Sequence, residues 1–265
     1  MSDVSRMPRF LDLPQRSAKP RRTGLTHVLD KGSSLRELCA LVERAGDHID
    51  IWKLGWGTAY LDPDVAEKVE ALSRHDIRAC VGGTLLECAW GQDRADECLR
   101  WAADMGFPCV EVSNGAGGMP VSEKRSLIGA AVDRFVVLSE VGSKDPGAVV
   151  SPGSWAEEIA GDLEAGATLV LTEGRESGTV GLYHRDGSVR EDVVDAVVER
   201  NGLARVIFEA PRKDQQAWFF NRFGNDVNVG NVPLEDVIGV EALRLGLRAD
   251  TIGLTRGNRD AETET

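Results

Sequence analysis

TLVLTEGRESG, residues 168–178, is the stretch whose reading decides the fold. Residues 168–171 form an apolar run with the length and composition of a buried parallel strand. The run breaks abruptly into Glu173, Gly174, Arg175, Glu176, Ser177 and Gly178. Three charges and two glycines directly after a buried strand are poor packing material. They suit an anion or metal site at a strand's C-terminal end, because buried charges are expensive unless paired or metal-bound. A solvated strand-to-helix loop with one ion pair would look the same in isolation. Recurrence along the chain separates the two readings.

The pattern recurs on both sides. FVVLSEVGSK (135–144) and RVIFEAP (205–211) are apolar strands that run into Glu140 and Glu209. Further out lie GLTHVLD (24–30), IDIWKLGW (49–56), IRACVGG (77–83), PCVEVSNG (108–115) and DVNVGNV (226–232). A helical segment follows each strand. The first carries Leu35, Leu38, Leu41 and Val42 at helical spacing behind a cap at Ser33 or Ser34. Pro63 opens the second helix, and Gly91 marks a break after the third strand. Ser122 caps the fourth; Ser154 caps the fifth and Gly166 closes it. YHRDGS (183–188) reads as a small hairpin or turn before the sixth helix.

Eight such pairs in about 230 residues, with strands apolar throughout, predict a single α/β domain, a closed (β/α)8 TIM barrel over residues 24–251. An open doubly wound sheet is the runner-up; it would usually show fewer repeats and a GxGxxG opening helix, which is not found. Residues 1–23, with Pro8, Pro14 and Pro20, form an extended N-terminal arm, either folded over a barrel end through its basic residues or loose. Residues 252–265 form a polar, frayed tail.

The chain has 43 Asp and Glu against 31 Lys and Arg, a net charge of −12. That argues against nucleic-acid and membrane partners, which need a basic surface, but not against a small anionic substrate held by a few local cations. The five cysteines, Cys39, Cys80, Cys88, Cys98 and Cys109, show no CxxC pair or zinc spacing and read as reduced thiols in core positions. No apolar run approaches the roughly 20 residues of a spanning helix. A cytoplasmic protein is expected. Trp155 and Trp218 on helices mark a subunit interface of a homo-oligomer or cover the barrel.

In a TIM barrel the strand C-terminal ends surround one pocket. The residues gathered there are Asp30, Lys31, Lys53, Trp56, Thr58, Gly82, Gly83, Thr84, Glu111, Ser113, Asn114, Glu140, Lys144, Glu173, Arg175, Glu176, Glu209, Lys213, Asn228, Gly230 and Asn231. Glu140, Glu173 and Glu209, on strands five to seven, would repel one another unless protonated or bridged by a cation. Oxygen-only ligands select a hard divalent ion, above all Mg²⁺; pairing with Lys144 or Arg175 is the plainer alternative. Gly82-Gly83-Thr84 and Asn228-Val229-Gly230-Asn231 each read as the end of a strand before a helix, where bare N–H groups can hold a phosphate; each is also compatible with a tight turn. No histidine stands at a clear strand end, and His27 reads as an interior residue. Lysine is therefore the better proton-transfer candidate, since a lysine confined beside another cation has a lowered pKa.

KPRRTGLTHVLDKG, KLGWGT, GGTLLE, GFPCVEVSNG, EVGSK, EGRESGTVG, FEAPRKDQQAWF, FGNDVNVGNV and EALRLGLRADT resemble, in order, the motifs of the phosphosulfolactate synthases. The resemblance runs from about Lys19 to Thr251. It implies a (β/α)8 barrel with Mg²⁺ as cofactor and phosphoenolpyruvate and sulfite as substrates, a lyase giving (2R)-2-phospho-3-sulfolactate, the first step of one coenzyme M route in archaea. Related bacterial and plant sequences include stress-associated proteins, so a different nucleophile or a non-catalytic homologue is the alternative. By family position Lys144 is the general acid, with Lys53 second. Glu140, Glu173 and Glu209 would hold Mg²⁺. Arg175 and Lys31 would bind anionic oxygens, with Gly82, Gly83, Thr84, Ser113, Asn228, Gly230 and Asn231 lining the substrate. Asp30 would orient Lys31 or reach the metal through water, and Glu176 either joins the site or turns outward.

Overall fold

The computed structural model describes residues 8, 10–116, 118–143, 145, 147 and 151–255. Eight strands form a closed parallel barrel in sequence order: β1 (Thr26–Asp30), β2 (Ile51–Leu54), β3 (Arg78–Val81), β4 (Cys109–Val112), β5 (Val136–Val141), β6 (Leu169–Thr172), β7 (Val206–Glu209) and β8 (Asn228–Pro233). The helices between them are α1 (Leu35–Ala45), α2 (Thr58–Leu61), α3 (Val65–Ser73), α4 (Gly83–Trp90), α5 (Ala95–Asp104), α6 (Val121–Ala131), α7 (Pro152–Glu164), α8 (Glu191–Asn201), α9 (Lys213–Phe223) and α10 (Val237–Arg244). This is the predicted TIM barrel.

Strand alternation sorts the apolar residues into two cores. Leu25, Ile51, Cys80, Cys109, Leu138, Leu169, Leu171 and Ile207 fill the barrel interior. Their neighbours, such as Trp52, Val110, Val137, Val170 and Phe208, face outward and pack under the helices. The barrel closes where β8 meets β1. Thr26 pairs with Val229 but Val28 with Val232, so β8 carries a bulge there. Asn231 absorbs it with a left-handed φ of 51°.

Helix boundaries follow local chemistry. Ser34 caps α1 in a reciprocal capping box with Glu37, and Gly91 ends α4 before α5, both as expected. Pro63, Ser122 and Ser154 are displaced from their predicted roles. A short α2 intervenes, and α3 starts at Val65. Pro120 precedes α6, leaving Ser122 inside it. Pro152 opens α7 a turn early, because a helix's first N–H needs no partner. Gly166, at φ 114°, closes α7 as expected. Tyr183 and Val189 form an isolated antiparallel bridge, the small hairpin expected at YHRDGS.

The arm is tied across the N-terminal end of the barrel. Arg16 donates to the Gly24 carbonyl at 2.7 Å and pairs with Glu241 at 2.9 Å. Arg21 pairs with Asp50 at 3.0 Å, and Lys19 donates to the carbonyls of Gly46 and His75. Beneath it, fully buried Arg244 donates to the Val227 carbonyl and lies over the Phe220 ring. Trp155 is buried, and Trp218 packs edge-on against Phe219, so both cover the barrel. No helix among the described residues is long and apolar enough to cross a membrane.

Candidate active site

The site begins as a change of residue type inside the barrel. Cβ direction has period 2 in a strand, so the residue two beyond an interior apolar side chain also points inward. Ile51 is followed by Lys53, Cys109 by Glu111, Leu138 by Glu140, Leu171 by Glu173 and Ile207 by Glu209. A charged layer thus lies directly above the apolar one, toward the C-terminal rim. All five of these side chains are buried.

Closure of the barrel brings them together. One carboxylate oxygen from each of Glu140, Glu173 and Glu209 lies within 4.8 Å of the other two. Lys53 Nζ donates to Glu111 Oε2 at 3.0 Å and to Glu209 Oε1 at 3.2 Å, joining opposite parts of the layer. The other oxygen of Glu111 accepts from the Gly83 N–H at 2.9 Å, and that of Glu209 from the Gly174 N–H at 2.9 Å. The Arg175 N–H donates back to Glu173 Oε1 at 2.5 Å. Arg175 can do so because it adopts a left-handed φ of 46°, a strained backbone of the sort that concentrates at functional sites.

Burial raises the Glu209 carboxyl to about 7; Lys53 pulls it down, and Glu140 and Glu111 push it further up. Burial also raises Glu111, again with Lys53 opposing. Burial disfavours the charge on Lys53, but attraction to Glu111, Glu209 and Glu140 wins and lifts its pKa well above the ordinary lysine value. The expectation of a lowered lysine pKa is therefore reversed for Lys53. Its neighbours are carboxylates, not cations, and they hold its proton on.

The remaining predicted residues divide by position. Lys144 lies outside the described residues. Lys31 pairs with Glu176 at 3.3 Å, both side chains about half exposed, so Glu176 braces Lys31. Asp30 does not orient Lys31. Its oxygens accept from the Gly32 and Ser33 N–H groups, the Ser33 hydroxyl and the Trp52 indole. The Gly82 N–H is used by the Leu54 carbonyl, as the Gly83 N–H is by Glu111, so neither is free to cradle a phosphate. Gly83 is required for a different reason: a Cβ there would come within 2.3 Å of Ser113 Oγ. Thr84 follows it in the first turn of α4. Ser113 Oγ donates to buried Glu87 at 2.5 Å. Glu87 also accepts from the Ala116 N–H and so shapes the loop after β4.

The NVGN segment departs from its reading as a strand end. It lies within β8 and does not end it. Asn228 is at the N-terminal foot of the barrel, where it accepts from the Leu25 N–H and donates to the Ala204 and Val206 carbonyls. It belongs to the closure of the barrel and is remote from the rim. Gly230 pairs in register with Glu209, and Asn231 follows it. The Asn231 N–H donates to His27 Nδ1 at 3.2 Å. Its buried Oδ1 has no hydrogen-bond partner among the described residues.

Glu111 and Glu87 were given no role by their motifs. For Glu111 the signal was the position two residues beyond interior Cys109. For Glu87, a helical glutamate, sequence gives none. The Glu140, Glu173 and Glu209 set fits a hard divalent cation: three buried anionic oxygen donors converge, with no nitrogen or sulfur ligand.

A closed parallel barrel with a buried charged layer toward the C-terminal ends of its strands is the architecture of (β/α)8-barrel enzymes, which place their active sites at that rim. The model of the (2R)-phospho-3-sulfolactate synthase (ComA) family matches residues 14–250, and the chain belongs to that family. It is 43% identical over 246 residues to a phosphosulfolactate synthase of Methanothermobacter thermautotrophicus, spanning 91% of this chain and 95% of that one. It is likewise 43% identical over 247 residues to a phosphosulfolactate synthase of Bacillus subtilis, spanning 92% and 98%. Among solved structures, 3-hexulose-6-phosphate synthase from Salmonella typhimurium superposes with a TM-score of 0.55 at 15% identity, covering 88% of this chain and 95% of that one. That likeness concerns the fold alone.

Proposed function

We propose that the chain is a carbon–sulfur lyase that adds sulfite to phosphoenolpyruvate with Mg²⁺ as cofactor, giving (2R)-2-phospho-3-sulfolactate. Family membership supports the activity. The observation that carries the mechanism is the buried cluster of Glu140, Glu173 and Glu209 with Lys53 against its edge.

The sulfite sulfur lone pair forms the C3–S bond, and the C2=C3 π pair moves onto C2 and the carboxylate. A proton delivered to C2 completes the addition, so no further reactant is needed. Glu140, Glu173 and Glu209 would hold Mg²⁺, which when bound supplies positive charge opposite the substrate carboxylate as negative charge accumulates there. Lys53, kept protonated by Glu111 and Glu209, adds a fixed positive charge at the same end of the barrel. Lys144, which follows β5, is the proposed proton donor to C2. Arg175 and Lys31, on the rim loops, would clamp phosphate or sulfite oxygens, and Glu176 would hold Lys31 in place. Asn231, Ser113 and Thr84 would line the substrate.

The test follows phosphoenolpyruvate by phosphorus NMR with sulfite present and Mg²⁺ either supplied or chelated. Sulfite- and Mg²⁺-dependent conversion to one new phosphate ester is expected. Consumption without sulfite would point to a different nucleophile, and no conversion by folded protein would refute the reading.

A further inference from the structure

Charge is buried where barrels usually place apolar side chains, between the strands and the outer helices. Lys124 on α6 and Asp162 on α7 are both fully buried and pair at 2.7 Å. Lys124 also pairs with Glu158 at 2.7 Å, and Asp162 with Arg125 at 3.2 Å. Such a cluster is no stability device, since apolar residues of similar volume usually do as well or better. Its geometry has a single target. Lys124 Nζ donates to the main-chain carbonyl of Glu140 at 3.0 Å. Asp162 accepts from Ser139 Oγ at 2.5 Å. Leu138 faces the barrel interior and Val137 and Val141 the outer core, so Ser139 points outward and Glu140 inward. The outer cluster therefore grips β5 from behind, on both sides of the peptide that carries Glu140.

The other two carboxylates are gripped in the same way. The Tyr183 hydroxyl, buried in the loop after β6, donates to the main-chain carbonyl of Glu209. The Leu182 N–H donates to the carbonyl of Glu173 at 2.9 Å. Gly181 permits that approach: it has φ 67°, and a Cβ there would stand 2.1 Å from the Glu173 carbonyl oxygen. Each residue of the candidate metal cluster is thus fixed through its own peptide by a donor from outside its strand ladder.

We propose that Lys124 and Tyr183 are positioning residues of the site, holding the peptides of Glu140 and Glu209 so that the carboxylates converge at the cation. The proposal rests on the reading of Glu140, Glu173 and Glu209 as Mg²⁺ ligands. Outer residues that orient metal ligands characteristically change affinity by about 10- to 100-fold when removed. Both side chains are fully buried, and the readout is Mg²⁺ affinity of the folded, substrate-free protein.

The experiment is calorimetric titration of Mg²⁺ into the wild type, Tyr183→Phe and Lys124→Met, each shown folded by circular dichroism. Lys124→Met takes a cation from fully buried Asp162 and partly exposed Glu158, so it is paired with the charge-balanced double variant Lys124→Met, Glu158→Gln, in which Asp162 keeps Arg125. Arg244→Met, which removes an equally buried cation at the opposite end of the barrel, controls for loss of stability alone. Affinity about 10-fold weaker in Tyr183→Phe and in the foldable Lys124 variant, with Arg244→Met unchanged, is the expected result. Wild-type affinity in both would overturn the proposal, as would equal weakening in Arg244→Met. Glu140→Gln separates the two levels: if it too binds Mg²⁺ as the wild type does, the ligand assignment has failed, and if it alone binds weakly, only the positioning role has.

Discussion

Replacing Lys53 by methionine keeps the length of the side chain and removes its charge. Lys53 stands 3.0 Å from Glu111 and 3.2 Å from Glu209. At an effective dielectric of about 20, each pair attracts by about 5 kcal/mol. Desolvation of three buried groups offsets much of that, and breaking a buried pair by removing one partner typically costs about 3–5 kcal/mol. At about 2 °C per kcal/mol for a chain of this size, that is roughly 5–9 °C in Tm. The deficit has a pH signature. Glu209 and Glu111 already titrate above their unfolded values in the wild type, Glu209 at about 7, because burial outweighs the pull of Lys53. Without Lys53 both rise further. A raised carboxyl binds more protons folded than unfolded, so its stability contribution is present at low pH and is lost as pH climbs through the folded pKa. Lys53→Met should therefore be only mildly destabilised near pH 5 and most destabilised near pH 8. Urea denaturation in chelator at both values measures it, and adding Glu111→Gln should recover part of the loss. A deficit below about 1 kcal/mol, equal at both pH values, would refute the ion-pair account of the charged layer.

Glu173→Gln should weaken Mg²⁺ binding at least about 10-fold with little change in the urea midpoint, and calorimetry reading wild-type affinity would remove Glu173 from the ligand set. Gly83→Ala places a Cβ 2.3 Å from Ser113 Oγ and 3.0 Å from Glu111 Oε1, so it should cost about 1–3 kcal/mol in denaturation and lower activity. His27 is fully buried, and burial holds its pKa well below 6.5. As pH falls below about 6.5 the unfolded chain gains a proton that the folded one refuses, so His27 removes up to about 1.4 kcal/mol of stability per pH unit. His27→Gln should show a shallower acid limb in urea midpoints between pH 4.5 and 7.

Much of the architecture was legible because parallel strands buried on both faces read as uninterrupted apolar runs, and all eight fall where those runs lie. The convergence of Glu140, Glu173 and Glu209 was legible for a related reason, since each carboxylate stands two residues beyond an inward apolar side chain. What sequence spacing could not carry was register and closure. NVGN reads as the end of a strand, yet β8 runs on to Pro233 with a bulge against β1, and Asn228 stands at the barrel foot. The Lys53 bridge joins β2 to β4 and β7, a distance set by closing the barrel. Lys124 stands on a helix, where a lysine reads as solvated; only the packing of α6 and α7 against β5 shows it buried and aimed at a backbone carbonyl.

The bonds formed distinguish sulfite addition from the use of another nucleophile. The direct measurement is mass spectrometry of the product made from phosphoenolpyruvate, excess sulfite and Mg²⁺ in D₂O. A single phosphosulfolactate with the sulfonate on C3 and one deuterium on C2, formed only by the metal-loaded protein, is the expected product. Folded, metal-loaded protein that yields no phosphosulfolactate at high sulfite, or yields one without deuterium at C2, would contradict the proposed addition.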